Sequence, residues 1–382
     1  MHESRGLGDV YKRQAICAGN VDIDYCKSLN SLRDSPRVYA MIHQHGVTTT
    51  MSDRIPMPMP FGWFQVAYSH ELAPAGSMPL RYFDTDLVLF RTESGEAKVL
   101  DAYCPHMGAH LGYGIRDQAG GGSEVRGDSI VCPFHGWAYN GEGLCTDVPY
   151  ANNLPPKVAR GEAVIQSWHV RELNQVIFVW YHPEGIEPTF EPELIPEASG
   201  DHPEWGSPKI YHWEINTHMP EIGENAVDPA HFLYVHGTQN IPEPEVMDFD
   251  GVNRSGRLIS RMATPRGEIV GIIENRNTGP GQATVRFSGI CDTILMANLT
   301  PIDKETSYAS YAFIQKKVNG EEPVGGVADA IVADIRKQME EDSIIWARKK
   351  YFEKPMLCDN DGPFAKFRKW YGQFYAEDWR AA

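Results

Sequence analysis

The sequence predicts an α+β protein. A small all-β domain is expected in residues 51–182, then a larger domain in 183–382 with a curved antiparallel sheet and a long C-terminal helix. Three observations carry this. Short apolar runs, about ten residues apart and separated by turn residues, fill 63–180, the pattern of an all-β unit. A Pro/Glu-rich segment, 183–208, follows and reads as a connection. Beyond it, strand-like runs lead into two closing helical stretches, so strands and helices are segregated rather than alternating.

Residues 1–50 come first and are expected to be a non-native or disordered extension. The run Gly8-Asp9-Val10-Tyr11-Lys12-Arg13-Gln14 resembles a translated sequencing adapter, and 15–50 has no amphipathic period. Met51 is the expected start. Strands are then predicted at 63–68, at 80–91 as one alternating run, and at 97–102. A Gly-rich hairpin insertion follows at 117–127, then strands at 129–134, 164–170 and 175–180. In the second domain, 209–216 reads as a strand and 220–236 as partly helical. Antiparallel strands are expected at 269–277, 283–296 and 307–316. Helices are predicted at 328–351 and, after Pro363, at 364–379.

Composition is that of a globular chain: of 382 residues, 42% are hydrophobic and 23% charged. A formal net charge of −16 argues against nucleic acid or an anionic membrane as partner. No apolar run approaches the ~20 residues that span a bilayer. Five of the seven cysteines (Cys17, Cys26, Cys145, Cys291 and Cys358) show no regular framework and read as free thiols, so cytoplasm is the expected compartment.

Cys104-Pro105-His106 and Cys132-Pro133-Phe134-His135 carry the chemistry. Each short loop holds one Cys and one His, so two thiolates can bind one metal and two imidazoles another. This ligand set resembles that of a Rieske [2Fe–2S] centre, in which His replaces Cys on one iron. A structural Cys2His2 zinc site would instead pair C-x2-4-C with H-x3-5-H. Both loops read as tight turns whose Pro and Gly let backbone N–H groups point at sulfur. Compared with high-potential Rieske proteins, Ala109 and Phe134 stand where extra cysteines would be, and Trp137 where a serine would be. Tyr139 remains as a donor to sulfur. Fewer such donors place the potential toward the negative end of the Rieske range, about −150 mV.

A second constellation runs from Asn225 to Gly237. Asp228 and His231, three apart, would share a helix face. His236 lies five beyond His231, so the two can bind one metal only if the helix widens or ends between them. Gly237 is placed to end it. Asn225 and Asp228 are polar groups that need partners if buried. On the C-terminal helix, Val332, Ile335, Met339 and Trp346 mark an apolar stripe. Asp342 sits on that stripe, while Glu340 and Glu341 point off it. A carboxylate there is paired or bound to metal. His231, His236 and Asp342 form a candidate 2-His-1-carboxylate set for mononuclear Fe(II), with positions left open for O2.

From about Phe61 to Trp379 the chain resembles Rieske non-haem iron oxygenases, within them the 3-ketosteroid 9α-hydroxylase and cholesterol 7-desaturase group. The resembling segments are 104–110, 132–137, 145–150, 228–236, 341–346 and a tail from Asp361-Gly362-Pro363 to Tyr375. The resemblance implies a helix-grip-like catalytic domain in 183–382 after a Rieske domain in 51–182. It implies cluster ligands Cys104, His106, Cys132 and His135, iron ligands His231, His236 and Asp342, and catalytic roles for Asn225 and Asp228. It also implies that Asp228 bridges His231 to His135 of the partner subunit, in a homotrimer with head-to-tail contacts.

The expected function is a terminal oxygenase that uses O2 to hydroxylate or desaturate an apolar, steroid-like substrate. The chain has no P-loop and no G-x-G-x-x-G after a strand. An NAD(P)H-dependent flavin/iron–sulfur reductase or a ferredoxin must therefore supply electrons. Three rivals differ in testable ways. The same machinery could act on aromatic acids or amines, for which a pocket arginine would be expected and none is obvious in 225–240. A Rieske ferredoxin with an appendage would hold cluster iron only. A zinc-stabilised lipid-binding module would be colourless.

Overall fold

The computed structural model describes residues 54–114, 122–264, 267–289, 291–359 and 361–376. The predicted N-terminal extension, with Cys17 and Cys26, lies outside the described residues, as does the 117–121 part of the hairpin insertion. Every described residue falls in one compact unit, Asp53–Ala382.

Strand β1 (Gly62–Tyr68) is buried along its whole length. Phe64 and Val66 enter one core, and Trp63 and Tyr68 another that includes Ile294 and Met296. Strands β2 (Ser77–Tyr82) and β3 (Thr85–Arg91) form a hairpin where one continuous strand, 80–91, was expected. The turn is Phe83-Asp84, with φ of 56° and 55°. A phenylalanine at positive φ is a poor sequence signal for a turn. Packing offsets the strain: Phe83 stacks on Tyr181 with ring centroids 4.7 Å apart.

Strand β4 (Ala97–Asp101) completes most of that sheet. A second small sheet holds β5 (Val125–Arg126), β6 (Ser129–Val131), β7 (Ala138–Asn140) and β8 (Cys145–Asp147). After a short helix α1 (Pro156–Ala159), β9 (Ser167–Trp168) pairs with β4, whereas β10 (Val170–Leu173) and β11 (Val176–Tyr181) join β1. The run predicted at 164–170 is thus shared between two sheets.

The segment 183–208 is not a free connection. The Phe190 carbonyl accepts from Trp63 Nε1 at 2.6 Å, and Ile195 and Ala198 are buried beside Trp63. Strand β12 (Lys209–Ile215) then opens a seven-stranded antiparallel sheet. Helices α2 (Met219–Glu224) and α3 (Ala230–Tyr234) flank a 3-10 turn, Asn225–Val227. Strands β13 (Glu243–Asp250) and β14 (Asn253–Thr264) were not expected. β13 is an edge strand rich in acids with a proline, and charge along both blurs the alternation. β15 (Gly267–Thr278) matches the 269–277 run. The 283–296 run divides into β16 (Gln282–Ser288) and β17 (Thr293–Pro301), and β18 (Ser307–Gln315) completes the order β12-β18-β17-β16-β15-β14-β13.

Helix α4 (Gly326–Trp346) lies against this sheet: Val332 packs with Leu295, Ala297 and Phe313. It stops five residues short of the predicted 351, where Arg54 takes the carbonyls of Trp346 and Lys349. Helix α5 (Phe364–Tyr371) also ends early, in a 3-10 turn at Gly372–Phe374. The two halves are knit through Gln65, which is 1% exposed: Nε2 donates to Ser310 Oγ, and Oε1 accepts from Asn298 Nδ2. Among the described residues, no helix is long and apolar enough to cross a membrane.

Candidate active site

The two Cys/His loops are near copies of each other. In the first, which follows β4, the Cys104 N–H reaches the Ala109 carbonyl and the Gly108 N–H returns to the Cys104 carbonyl, both at 2.9 Å. In the second, between β6 and β7, Cys132 bonds the Trp137 carbonyl at 2.7 Å and Gly136 returns to Cys132 at 3.0 Å. Gly108 and Gly136 have φ of 75° and 76°, which a side chain would strain. The turns aim the N–H groups of His106 and Met107 at the Cys104 sulfur, and those of Phe134 and His135 at Cys132. Tyr139 Oη lies 3.0 Å from Cys104 Sγ, the donor expected from sequence.

These four side chains suit a metal cluster. Cys104 and Cys132 are each 2% exposed. A hydrogen bond from the Cys132 thiol, joined by Tyr139 and the loop N–H groups, holds the Cys104 pKa down to about 5 against the effect of burial. The imidazole rings of His106 and His135 stand 4.7 Å apart, and His106 stacks flat on Trp137. Nδ1 of each ring is buried without a hydrogen-bond partner. Such orphans are rare in folded proteins, and a metal bond is the partner that two imidazoles beside two thiols fit.

The second site is built by a broken helix. Pro229 pushes the preceding Asp228 out of the helical region, to φ −109° and ψ 94°. Asp228 therefore caps α3 rather than sharing its face with His231, a correction to the spacing argument. Its Oδ1 accepts from the N–H groups of Ala230 and His231, at 3.1 and 3.3 Å. His231 Nδ1 donates to the Asp228 main-chain carbonyl at 2.5 Å, so Nε2 is the nitrogen left to bind. The helix ends at Tyr234, and Gly237 turns the chain with φ 68°. His236, just past the end, comes back beside His231, with ring centroids 5.2 Å apart.

Asp342 projects from the buried stripe of α4 into the same place, with Oδ2 3.4 Å from His236 Nε2. One ligand atom from each of His231, His236 and Asp342 lies within 4.8 Å of the others. Two nitrogens and one carboxylate oxygen in that space match a facial triad for non-haem iron. Burial lifts the Asp342 pKa to about 6, opposed by His236 and by the Asn225 Nδ2 bond of 2.8 Å to Oδ2. Burial likewise depresses His231. Asn225 thus aims Asp342. It is held in turn by α2, whose buried Glu221 and Glu224 pair with Lys349.

Glu341 lies off the stripe, as the helical period places it, and from there reaches the site: Oε2 lies 3.0 Å from His236 Nδ1. Successive helical residues are about 100° apart, and the imidazole sits between them, one nitrogen toward each acid. The bond to His236, with help from Lys337, lowers the Glu341 pKa. Glu341→Gln should keep the fold and the cluster while weakening Fe(II) retention by about 10- to 100-fold, as loss of a ligand's outer partner does. Iron titration into the metal-depleted variant measures this, and wild-type retention would disprove it.

Two further residues brace the 225–228 segment: Gly362, inside the tail that carries the resemblance, and Arg254, which gave no sequence signal. A Cβ at Gly362 would lie 1.5 Å from the Val227 carbonyl, so the tail presses directly on the segment before Asp228. Arg254, on β14, reaches the Ala226 carbonyl at 3.2 Å.

Paired Cys/His loops beside small β-sheets, and a 2-His-1-carboxylate set carried partly by the helix that packs on a seven-stranded sheet, are the parts of an O2-dependent oxidoreductase with a Rieske centre. A Rieske [2Fe-2S] domain model matches residues 62–166, and a model of the 3-ketosteroid 9α-hydroxylase C-terminal domain matches 179–375. A 3-ketosteroid-9-alpha-monooxygenase oxygenase component of Rhodococcus rhodochrous is 33% identical over 337 residues, covering 83% of this chain and 84% of that one. Cholesterol 7-desaturase of Xenopus laevis is 31% identical over 366 residues, covering 86% and 74%. Among solved structures, NdmB of Pseudomonas putida CBB5 superposes with a TM-score of 0.61 at 21% identity, over 81% of this chain and 89% of that one. Dicamba monooxygenase gives 0.60 at 16%, over 85% and 98%. The chain belongs to the 3-ketosteroid 9α-hydroxylase family of Rieske non-haem iron oxygenases. Its cofactors are a Rieske-type [2Fe–2S] cluster and a mononuclear iron.

Proposed function

We propose that this chain is the oxygenase component of a Rieske monooxygenase that hydroxylates or desaturates a steroid-like substrate. The observation that carries the reading is the triad of His231, His236 and Asp342, with Asp342 between Met339 and Trp346 on the apolar stripe of α4 that packs against Ile215 and Ala309 of the sheet. Apolar surroundings of this kind suit a flat, apolar skeleton, and the ketosteroid and sterol enzymes named above are relatives of this chain. When bound, the cluster would supply single electrons and the iron O2 activation.

The residues divide the remaining work. Cys104, His106, Cys132 and His135 would hold the cluster, with Tyr139 and the loop N–H groups stabilising thiolate charge. His231, His236 and Asp342 would hold the iron, with Asn225 and Glu341 fixing two of them. Asp228 would bridge to His135 of the partner subunit in a ring of three. Its Oδ2 lies 3.9 Å from His231 Nδ1, and its side chain is 28% exposed. Residues 51–182 would serve as the electron-receiving domain and 183–382 as the catalytic one, with an NAD(P)H-dependent reductase or ferredoxin as donor. A cytoplasmic setting accords with the free Cys145, Cys291 and Cys358.

Turnover with a generic ferredoxin–reductase pair, offered ketosteroids, sterols and aromatic acids, tests the assignment. A hydroxylated or dehydrogenated steroid is expected. Conversion of an aromatic acid alone would overturn the steroid assignment.

A further inference from the structure

We propose that Asn275, oriented by Arg254, donates a hydrogen bond to an oxygen on the substrate, a ring ketone on a steroid-like skeleton. This rests on the substrate reading above and deepens it.

Arg254 is 1% exposed, and none of its bonds is to an acid. Its Nε donates to Asn277 Oδ1 at 3.1 Å, its Nη2 to Asn275 Oδ1 at 2.8 Å, and its Nη1 to the Ala226 carbonyl. A guanidinium only donates, so it compels both amides to present oxygen to it and to turn their NH2 groups away. Asn275 is 9% exposed, and its Nδ2 has no acceptor among the described residues. Solvent still reaches Nδ2, so what this donor needs is a setting in which a ligand oxygen replaces that water.

Register supplies it. Gly256, Asn275, Val285, Leu295 and Phe313 form one cross-strand row. Val285, Leu295 and Phe313 pack with Val332 of α4, so the row faces the helix that carries Asp342. In the adjoining row, Tyr311 lies close enough to Asp342 to feel its charge. At the other end Arg254 holds Ala226, next to the Asn225 that bonds Asp342. Asn275 is two strands from Leu295, about 10 Å. One donor at the edge of an apolar wall is the complement of an apolar skeleton bearing one acceptor oxygen. Opposite it Gly256 leaves room, since a Cβ there would meet Asn275 Oδ1 at 2.7 Å.

The test is equilibrium binding to the metal-loaded enzyme, without reductant, of a ketosteroid, the matching hydroxysteroid and the matching deoxysteroid. The wild type should bind ketone and alcohol about tenfold more tightly than the deoxy compound. Asn275→Asp keeps shape and the bond from Arg254 but exchanges the donor for an acceptor. It should weaken the ketone by about tenfold or more relative to the alcohol, which can donate. Asn275→Ala should bring ketone and alcohol toward the deoxy value, with cluster absorption and iron content reporting the fold. Equal wild-type affinities for all three, or a ketone-to-alcohol ratio unmoved in Asn275→Asp, would overturn the donor role and leave the steroid assignment standing. Binding of none of the three would overturn both. The wild-type ratio is read whether or not either variant folds.

Discussion

Replacing Asp342 with alanine is expected to give a coloured protein that has lost one iron in about three and nearly all product formation. The other two irons belong to the cluster, whose loops adjoin the two small four-stranded sheets and, among the described residues, make no hydrogen bond to α4. Asp342 is the only carboxylate in the ligand triad, and its removal also leaves Asn225 Nδ2 without its acceptor. Losing an outer partner already costs about 10- to 100-fold in metal affinity, so losing the ligand itself should exceed that. Iron analysis beside the visible spectrum reads the two centres separately. Unchanged iron content with normal turnover would remove Asp342 from the ligand set.

Asp228→Asn should behave oppositely: both centres filled, turnover down by about 100-fold. Asparagine retains an oxygen for the N–H groups of Ala230 and His231, so α3 keeps its cap, and the His231 bond goes to a main-chain carbonyl that the substitution leaves in place. What is lost is the negative charge proposed to meet His135 of the partner subunit. Cluster reduction by a chemical reductant should therefore stay fast, while product formed in a single turnover becomes slow. Full turnover with both metals present would exclude the bridge.

The corrections concern residues whose roles depend on distant neighbours. Phe83 could not be read as a turn residue, because its positive φ is offset by stacking on Tyr181, nearly a hundred positions away. Acidic β13 hid as a strand because an exposed edge need not alternate. For Glu341, helix periodicity correctly set its direction off the stripe, but only the turn of the chain after α3 put the His236 imidazole there to receive it. Asp228 is different. Its exclusion from the helix was legible in the Asp-Pro pair, and the three-residue spacing drew attention away from it.

By itself the sequence determined the chemistry: the ligand types, their short-range spacing in each loop, and the carboxylate on an apolar stripe. Those are local properties, set by turn residues and helical period within about one or two turns of chain. Tertiary structure alone decided which groups converge. Arg254 and Asn275 carry no motif, and the resembling tail does not say what Gly362 touches; their contacts follow from strand register and close backbone packing between segments far apart in sequence. The cluster loops could be read from the chain because each closes on itself. The surroundings of the iron could not, because they are assembled from a broken helix, a long helix, a sheet face and a tail.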